Sequence, residues 1–306
     1  MDAVHVQLFN SKKPTNLLGS LKKAGNAVVF RPLIAFTPGL TYTVWQGKKQ
    51  IGQISVLANK RQTPPQLVAI YPGMDTLPEN LLKVYFRFSK PMRVGQSLQH
   101  IKLLNSKGDT LLNTFLDLQP ELWDTTATVL TLWLDPGRIK RDLAPNLRMG
   151  NPLKQGEQYR LLISGKFQDA QGIPLAKDHQ KQFTVGKRDE IAPDIGTWLL
   201  NFVKAGTSGK LIINTVEPLD HFLLQESVSV LNSEGDIVNG RIHFSVNDAN
   251  WQFTPAQPWK AGNYTLAVNA RLEDLAGNNL NRLFDRDITK NAKRNEVVYK
   301  RMFTVK

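Results

Sequence analysis

The sequence predicts an all-β protein built as a row of β-sandwich domains. Three observations carry this: a long unit recurs along the chain, apolar residues alternate with period two, and turn residues punctuate the chain at short intervals. At 306 residues the chain exceeds one ordinary domain, and 41% hydrophobic against 21% charged residues describes a globular protein and excludes a disordered tail.

The recurrence is seen first in two turns, "LNSKGD" (104–109) and "LNSEGD" (231–236), which differ at one position. Pro91 stands fourteen residues before Asn105, and Pro218 fourteen before Asn232. Downstream, "PLKQGEQYRL" (152–161) answers "PWKAGNYTL" (258–266). Asp169 follows Tyr159 by ten residues, as Asp274 follows Tyr264. A partial copy opens the chain: Asn10 aligns with the turn asparagine, "VFRP" (29–32) with "QFTP" (252–255), and "TPGLTYTV" (37–44) with the Gly-x-Tyr strand. Everything that precedes the asparagine in the other two copies is missing from this one.

Strands are expected at "LLKVYFRFS" (81–89), where Leu82, Val84, Phe86 and Phe88 alternate with Leu81, Lys83, Tyr85 and Arg87, and likewise at 41–56 and 263–272. One short helix is expected near 219–226. Charged, proline-bearing segments at 59–66 and 186–194 read as linkers, so the expected units are 1–60, 65–187 and 191–306. "LEDLAGNNL" (272–280) concentrates oxygen-bearing side chains. Its counterpart "KFQDAQGIPL" keeps Asp169 and Gly172 but not the asparagines, so the stretch reads as a turn rather than a calcium loop.

These anchors resemble the S-layer-type bacterial Ig-like domain, whose marks are "F-S-x-P-M", "P-x-x-x-G-x-x-Y-x-L/V" and "D-x-x-G-N-x-L" before a closing "F-x-V" strand. They stand here as "FSKPM" (88–92), "QFTV" (182–185), "EDLAGNNL" and "MFTV" (302–305). The resemblance covers most of 65–306 and, more weakly, 5–57. It implies tandem Ig-like β-sandwich domains with a partial N-terminal Ig-like unit, used as spacers, adhesive modules or accessory modules in exported bacterial proteins. It implies no shared catalytic residues. The chain is also similar to a group of predicted exported proteins that share the "LDPGRIKR" segment.

Charge and composition narrow the function classes. Residues 1–64 hold nine Lys/Arg against one acid, whereas 191–306 hold thirteen against twelve, so the net charge of +13 is concentrated at the N-terminal unit. A nucleic-acid reader needs that charge on one face with aromatics or a reading helix; anionic glycans or headgroups suit scattered loop-end pairs better, and nucleic acid is not expected as a partner. The absence of cysteine excludes disulfides and thiolate chemistry. No apolar run is long enough for a membrane helix, and the first thirty residues lack the core of a signal peptide. Either the chain is cytosolic, or it is a mature exported chain whose leader has been replaced by Met1; the expected location is extracytoplasmic.

Chemistry-bearing residues are few. "AGTSGKL" (205–211) has two residues between its glycines where a phosphate loop needs four, and the five histidines lack ligand spacing. No metal and no cofactor are expected. Glu121 and Asp124 flank Trp123; a carboxylate pair beside an aromatic suits glycoside hydrolysis, and an open groove there would favour a role in polysaccharide binding or cleavage. Tyr159 follows Pro136 by twenty-three residues in the middle unit, where Tyr264 follows Pro255 by nine in the last. The added loop 137–151 carries Arg138, Lys140, Arg141 and Arg148. Their donors either pin the loop to neighbouring acids such as Asp135, Asp285 or Asp287, or bind a carboxylate- or phosphate-bearing partner. With Trp123 and Glu121 they form the candidate binding set. A second late insertion, 281–299, is expected to add a strand or clasp two domains.

The sequence therefore leads to a non-enzymatic envelope protein with a structural or adhesive role, binding a protein or a glycan. The sheet edges of the incomplete first unit offer it a means, since an unpaired edge can accept a strand from another chain.

Overall fold

The computed structural model describes residues 4–11, 14–25, 27–57, 63–245, 249–286 and 295–306, and apolar alternation becomes strand throughout them. The first unit contains β1 (Val4–Leu8), β2 (Gly19–Ala24), β3 (Ala27–Pro32), β4 (Thr41–Gln46) and β5 (Lys49–Ser55). The middle unit contains β6 (Leu67–Tyr71), β7 (Thr76–Leu77), β8 (Lys83–Phe88), β9 (Ile101–Asn105), β10 (Leu122–Trp123), β11 (Val129–Trp133), β12 (Gln158–Ile163) and β13 (His179–Val185). The third contains β14 (Leu199–Leu200), β15 (Leu211–Asn214), β16 (Val228–Leu231), β17 (Gly240–Phe244), β18 (Asn250–Pro255), β19 (Gly262–Asn269) and β20 (Val298–Val305). The helix expected near 219–226 is α4 (His221–Ser227); α1 (Ser97–His100), α2 (Pro136–Ile139) and α3 (Ala144–Met149) lie in the middle unit.

The sheet orders repeat as the sequence does. One sheet runs β9-β12-β13 in the middle unit, with β7 added beside β13; the same sheet runs β16-β19-β20 in the third and β1-β4-β5 in the first. The opposing sheet is β6-β8-β11-β10 in the middle unit and β14-β15-β18-β17 in the third. Among the described residues the first unit has only the β2-β3 hairpin as its second sheet. This is the all-β sandwich architecture that alternation and turns predict, of the Ig-like kind the resemblance implies.

Two cores follow. Phe86, Leu130, Ile163 and Phe167 are fully enclosed in the middle unit, as are Trp198, Leu224, Leu266 and Val268 in the third. Each large apolar side chain enclosed this way contributes about 1.5–3 kcal/mol. The first unit encloses far less: among its described residues Val6, Tyr42 and Thr43 are buried, while Leu18, Val28, Leu33, Ile34 and Ile51 face solvent.

The tyrosine anchors superpose by function. The Tyr42, Tyr159 and Tyr264 hydroxyls accept the backbone N–H of Thr37, Lys154 and Lys260 respectively. This corrects one alignment. Leu8, not Asn10, lies opposite Tyr42 as Asn105 lies opposite Tyr159. Asn105 and Asn232 each draw two later N–H groups of the turn onto the side-chain oxygen, whereas the turn after β1 is longer and places Asn10 in the left-handed region, at φ 55°.

The Asp-x-x-Gly turns are turns, and they also join the units. Asp274 Oδ1 accepts the Ala276 and Asn278 N–H groups, and Asp169 Oδ1 accepts those of Gln171 and Ile173. Gly277, at φ +80°, lies so close to the middle unit that a Cβ would sit 2.3 Å from Leu82; the Leu82 N–H donates to Leu275 O at 2.9 Å. Gly172, at φ +86°, approaches Pro38 of the first unit in the same manner, and Arg93 Nη2 donates to Pro38 O at 3.1 Å. Glycine is required at both positions by φ and by the approaching backbone or side chain.

Candidate functional site

The insertion before β12 is not an irregular loop: it folds into α2 and α3. Asp135 Oδ1 accepts the Gly137 N–H at 2.8 Å, and a proline stands in the first turn of each helix, where a missing N–H is harmless. Arg138, 8% exposed, holds the pair together. Its Nε, Nη1 and Nη2 donate to Gly150 O, Asn113 O and Asn151 O at 3.1, 2.9 and 3.2 Å. Arg141 pairs instead with Glu190 at 2.8 Å and Asp285 at 2.9 Å, and Arg188 reaches the same Asp285 oxygen at 2.7 Å. Lys140 Nζ lies 4.4 Å from the centre of the Phe284 ring, and Arg148 is exposed in the last turn of α3. The two insertions thus meet across the junction of the middle and third units. Asp287 lies outside the described residues.

Arg138→Ala leaves three carbonyls without their charged donor and is expected to cost about 3 kcal/mol. Arg141→Ala breaks an exposed pair and is expected to cost under about 1 kcal/mol. Urea unfolding of both variants checks this; equal midpoints would refute the pinning role of Arg138.

Glu121, Trp123 and Asp124 are brought together but not as an acid–base pair. Glu121 Oε1 accepts from Ser97 N and Oγ, and Oε2 from Gly95 N and Trp123 Nε1, all between 2.7 and 2.8 Å. Burial works to raise its pKa, but these bonds prevail and hold it below the usual range. Asp124 is lowered in the same way: burial opposes, while Thr126, Thr128 and Val129 donate to it. Trp123 is half-buried, its ring 6.0 Å from Phe88 and 6.3 Å from Phe167. A glycosidase acid needs a raised pKa, and both carboxylates have the opposite shift.

The densest charge lies between the middle and third units. Lys83 Nζ on β8 contacts Glu273 Oε2 at 2.6 Å and Asp220 Oδ2 at 3.2 Å, and the Tyr85 hydroxyl donates to the same Asp220 oxygen at 2.6 Å. Asp220 Oδ1 caps α4 by accepting from Phe222 and Leu223. Burial works to lower the Lys83 pKa, but the two carboxylates outweigh it and raise it; burial followed by Asp220 drives the Tyr85 phenol far above its ordinary value.

Beside this network, Asp189 of the linker, Glu217 and Asp274 bring one carboxylate oxygen each to within 4.8 Å of the others. Burial, then Asp189, pushes Asp274 up to about 8 despite bonds from Asn278, and pushes Glu217 up to about 7. Asp189 is raised by burial against a bond from Ile191. These are the residues on which a cation could sit. Asp274 already accepts hydrogen bonds on both oxygens, Oδ2 from Asn278 Nδ2 at 2.8 Å. No motif links residues 189, 217 and 274, so sequence reading missed the cluster.

An open groove of about 690 Å³ runs over the middle unit's β9-β12-β13 sheet, lined by Asn105, Gln158, Arg160, Gln180 and Gln182 among others. Trp251 and Trp259 are both 2% exposed and belong to the third core, so neither offers a ring face to a sugar. The Trp259 indole N–H donates to Gly209 O at 2.7 Å, as a buried indole usually does to some acceptor. No helix among the described residues is long and apolar enough to cross a membrane.

No family model and no curated protein matches the chain. Solved structures of similar domain fold do. The MG0-NIE-MG1 domains of Escherichia coli alpha-2-macroglobulin are 14% identical over 69% of this chain and 67% of that one, with a TM-score of 0.26. The N-terminal part of the bacterial S-layer protein SbsC is 12% identical over 80% of this chain and 44% of that one, at 0.26. The Bacteroides ovatus SGBP-B protein, solved with a mixed-linkage heptasaccharide, is 14% identical over all of this chain and 60% of that one, at 0.20. The likeness is one of fold alone.

Proposed function

We propose that this chain is a non-enzymatic binding protein of the cell envelope, in which the middle and third units form a braced arm and the first unit is the partner-binding end. One observation carries the reading. Among the described residues the first unit has the three-stranded sheet of the complete units but only a hairpin besides it, and apolar residues such as Val28 (52% exposed) and Ile34 (81%) lie open. Glu121, Asp124, Arg138 and Arg141, all singled out in the sequence, support it indirectly, because local turns, the insertion's own carbonyls and the interdomain clasp occupy them.

A photo-reactive residue placed at Val28 is expected to cross-link a partner from an envelope extract, while one at Ile212, exposed on the third unit, is not. Equal labelling from both positions, or none from Val28, overturns the assignment. Fractionation of cells carrying the full gene tests the location: recovery in the cytosol refutes it.

Glycan binding is the second reading, and the polar groove of the middle unit favours it. Its amide and guanidinium groups can bond hydroxyls, although the Tyr159 and Phe183 rings beneath are buried. Retention on immobilised envelope polysaccharide that Arg160→Ala abolishes would establish it.

A further inference from the structure

The complete units show what the first unit lacks, because the same packing detail fixes the equivalence of the strands. Gly19 lies opposite Pro32, and Gly240 opposite Pro255. A Cβ on Gly19 would strike the Phe30 ring at 2.6 Å, and one on Gly240 the Phe253 ring at 2.3 Å. The hairpin β2-β3 is therefore the counterpart of β17-β18, with Phe30 at the place of Phe253 and Val28 at that of Trp251. Phe253 is 4% and Trp251 2% exposed, but Val28 is 52% exposed.

The difference is one neighbouring strand. β18 lies between β17 and β15, and β11 between β10 and β8, whereas β3 pairs with β2 alone among the described residues. In the third unit β15 runs antiparallel to β18 and sets Leu211 opposite Phe253 and Ile213 opposite Trp251. In the middle unit β8 sets Val84 opposite Leu132, and Leu82 O accepts the Leu134 N–H. Both templates have leucine, one residue, then isoleucine or valine.

We infer that β3 is the receiving edge for an antiparallel strand donated by another protein, with the pattern acidic–Leu–acidic–Val/Ile. Leucine covers Phe30 and the β-branched residue covers Val28. The residues between them lie on the outer face beside Arg31 and Val29, next to a hairpin that carries Lys22, in a unit with nine basic residues and one acid. A second copy of this chain is a poor donor. Its matching strands β8 and β15 are already paired on both sides, and Lys83 and Lys210 bring the wrong charge to the outer face. The inference rests on the reading of the first unit as the binding end and gives that end its chemistry.

The test uses the full chain and the synthetic peptide Glu-Leu-Glu-Val-Glu-Phe, with Lys-Leu-Lys-Val-Lys-Phe as control. The acidic peptide is expected to bind about tenfold or more tighter than the basic one, in a salt-dependent way, and to slow hydrogen exchange at the β3 amides. Val28→Asp, at a solvent-facing site, is expected to leave melting unchanged and to weaken peptide binding by about tenfold or more. Binding without β3 protection, equal affinity for both peptides, or β3 amides protected before peptide is added would overturn the proposal. So would a dimer that Val28→Asp dissociates, since a second copy would then fill the edge. Cross-linking from Val28 without peptide binding removes strand donation and leaves the binding end; failure of both removes both.

Discussion

Replacing Lys83 by methionine is expected to destabilise the junction between the middle and third units by about 3–5 kcal/mol, the usual cost of removing one partner from a buried ion pair. Methionine keeps the length and apolar stem of lysine, so the change removes charge more than volume. Asp220, whose side chain is 4% exposed, would retain the Tyr85 hydroxyl and two N–H groups of α4 but lose its cation. Glu273, 22% exposed, can turn toward water and suffers less. The loss therefore falls on the contact between units and not on either core. Calorimetry is expected to show one joint transition in the unaltered chain and two separate ones in the variant, the earlier lowered by about 5–15 °C. Lys83→Met combined with Asp220→Asn is expected to recover part of the loss, because no uncompensated charge remains. A single, unshifted transition in the Lys83→Met protein would show that the network contributes nothing to the junction.

The repeat made the sandwiches legible because each anchor has a local cause: tyrosine hydroxyls that accept a backbone N–H five or four residues earlier, and aspartates that close their own turns. Local causes can be read from local sequence. The same reasoning failed by two residues at Asn10, since a longer turn moves a strand register without altering the letters that mark it. It also treated 137–151 as a loop. The proline in the first turn of each helix was visible there, but helices of four and six residues display too few turns for apolar periodicity to register.

The junction was illegible for a different reason. Lys83 alternates on β8 as any outward-facing residue would, and its partners lie 137 and 190 residues away. Only the docking of the Leu275–Gly277 turn against Leu82 brings them together. The arginines of the insertion show both outcomes that residue type allows. Arg138 turns inward to carbonyls and Arg141 outward to Asp285 and Glu190, a division that follows from Arg138 lying within α2 and Arg141 just beyond its end.

Raising the pH from 5 to 8 is expected to weaken this junction, the reverse of ordinary acid denaturation. The pKa values of Asp274, Glu217 and Asp189 are all raised in the folded chain, the first to about 8 and the second to about 7. The folded state thus holds protons that the unfolded chain, with carboxylates near their usual value of about 4, releases. The stabilisation is full below that value and is lost as pH climbs through the folded values. Each retained proton contributes a slope of about 1.4 kcal/mol per pH unit, so Asp274 alone, 2% exposed, accounts for roughly 4 kcal/mol across this range at most. The three carboxylates titrate as one coupled group. Glu217→Gln removes one charge from the cluster without touching the bonds that close the Asp274 turn. It is expected to flatten the slope and to raise the melting temperature at pH 8 by a few degrees, while changing little at pH 5, where the glutamate is already protonated. A melting temperature that is level from pH 5 to 8 in the unaltered chain, or a Glu217→Gln protein that melts lower at pH 8, would mean that the carboxylates are neutralised by something other than protons.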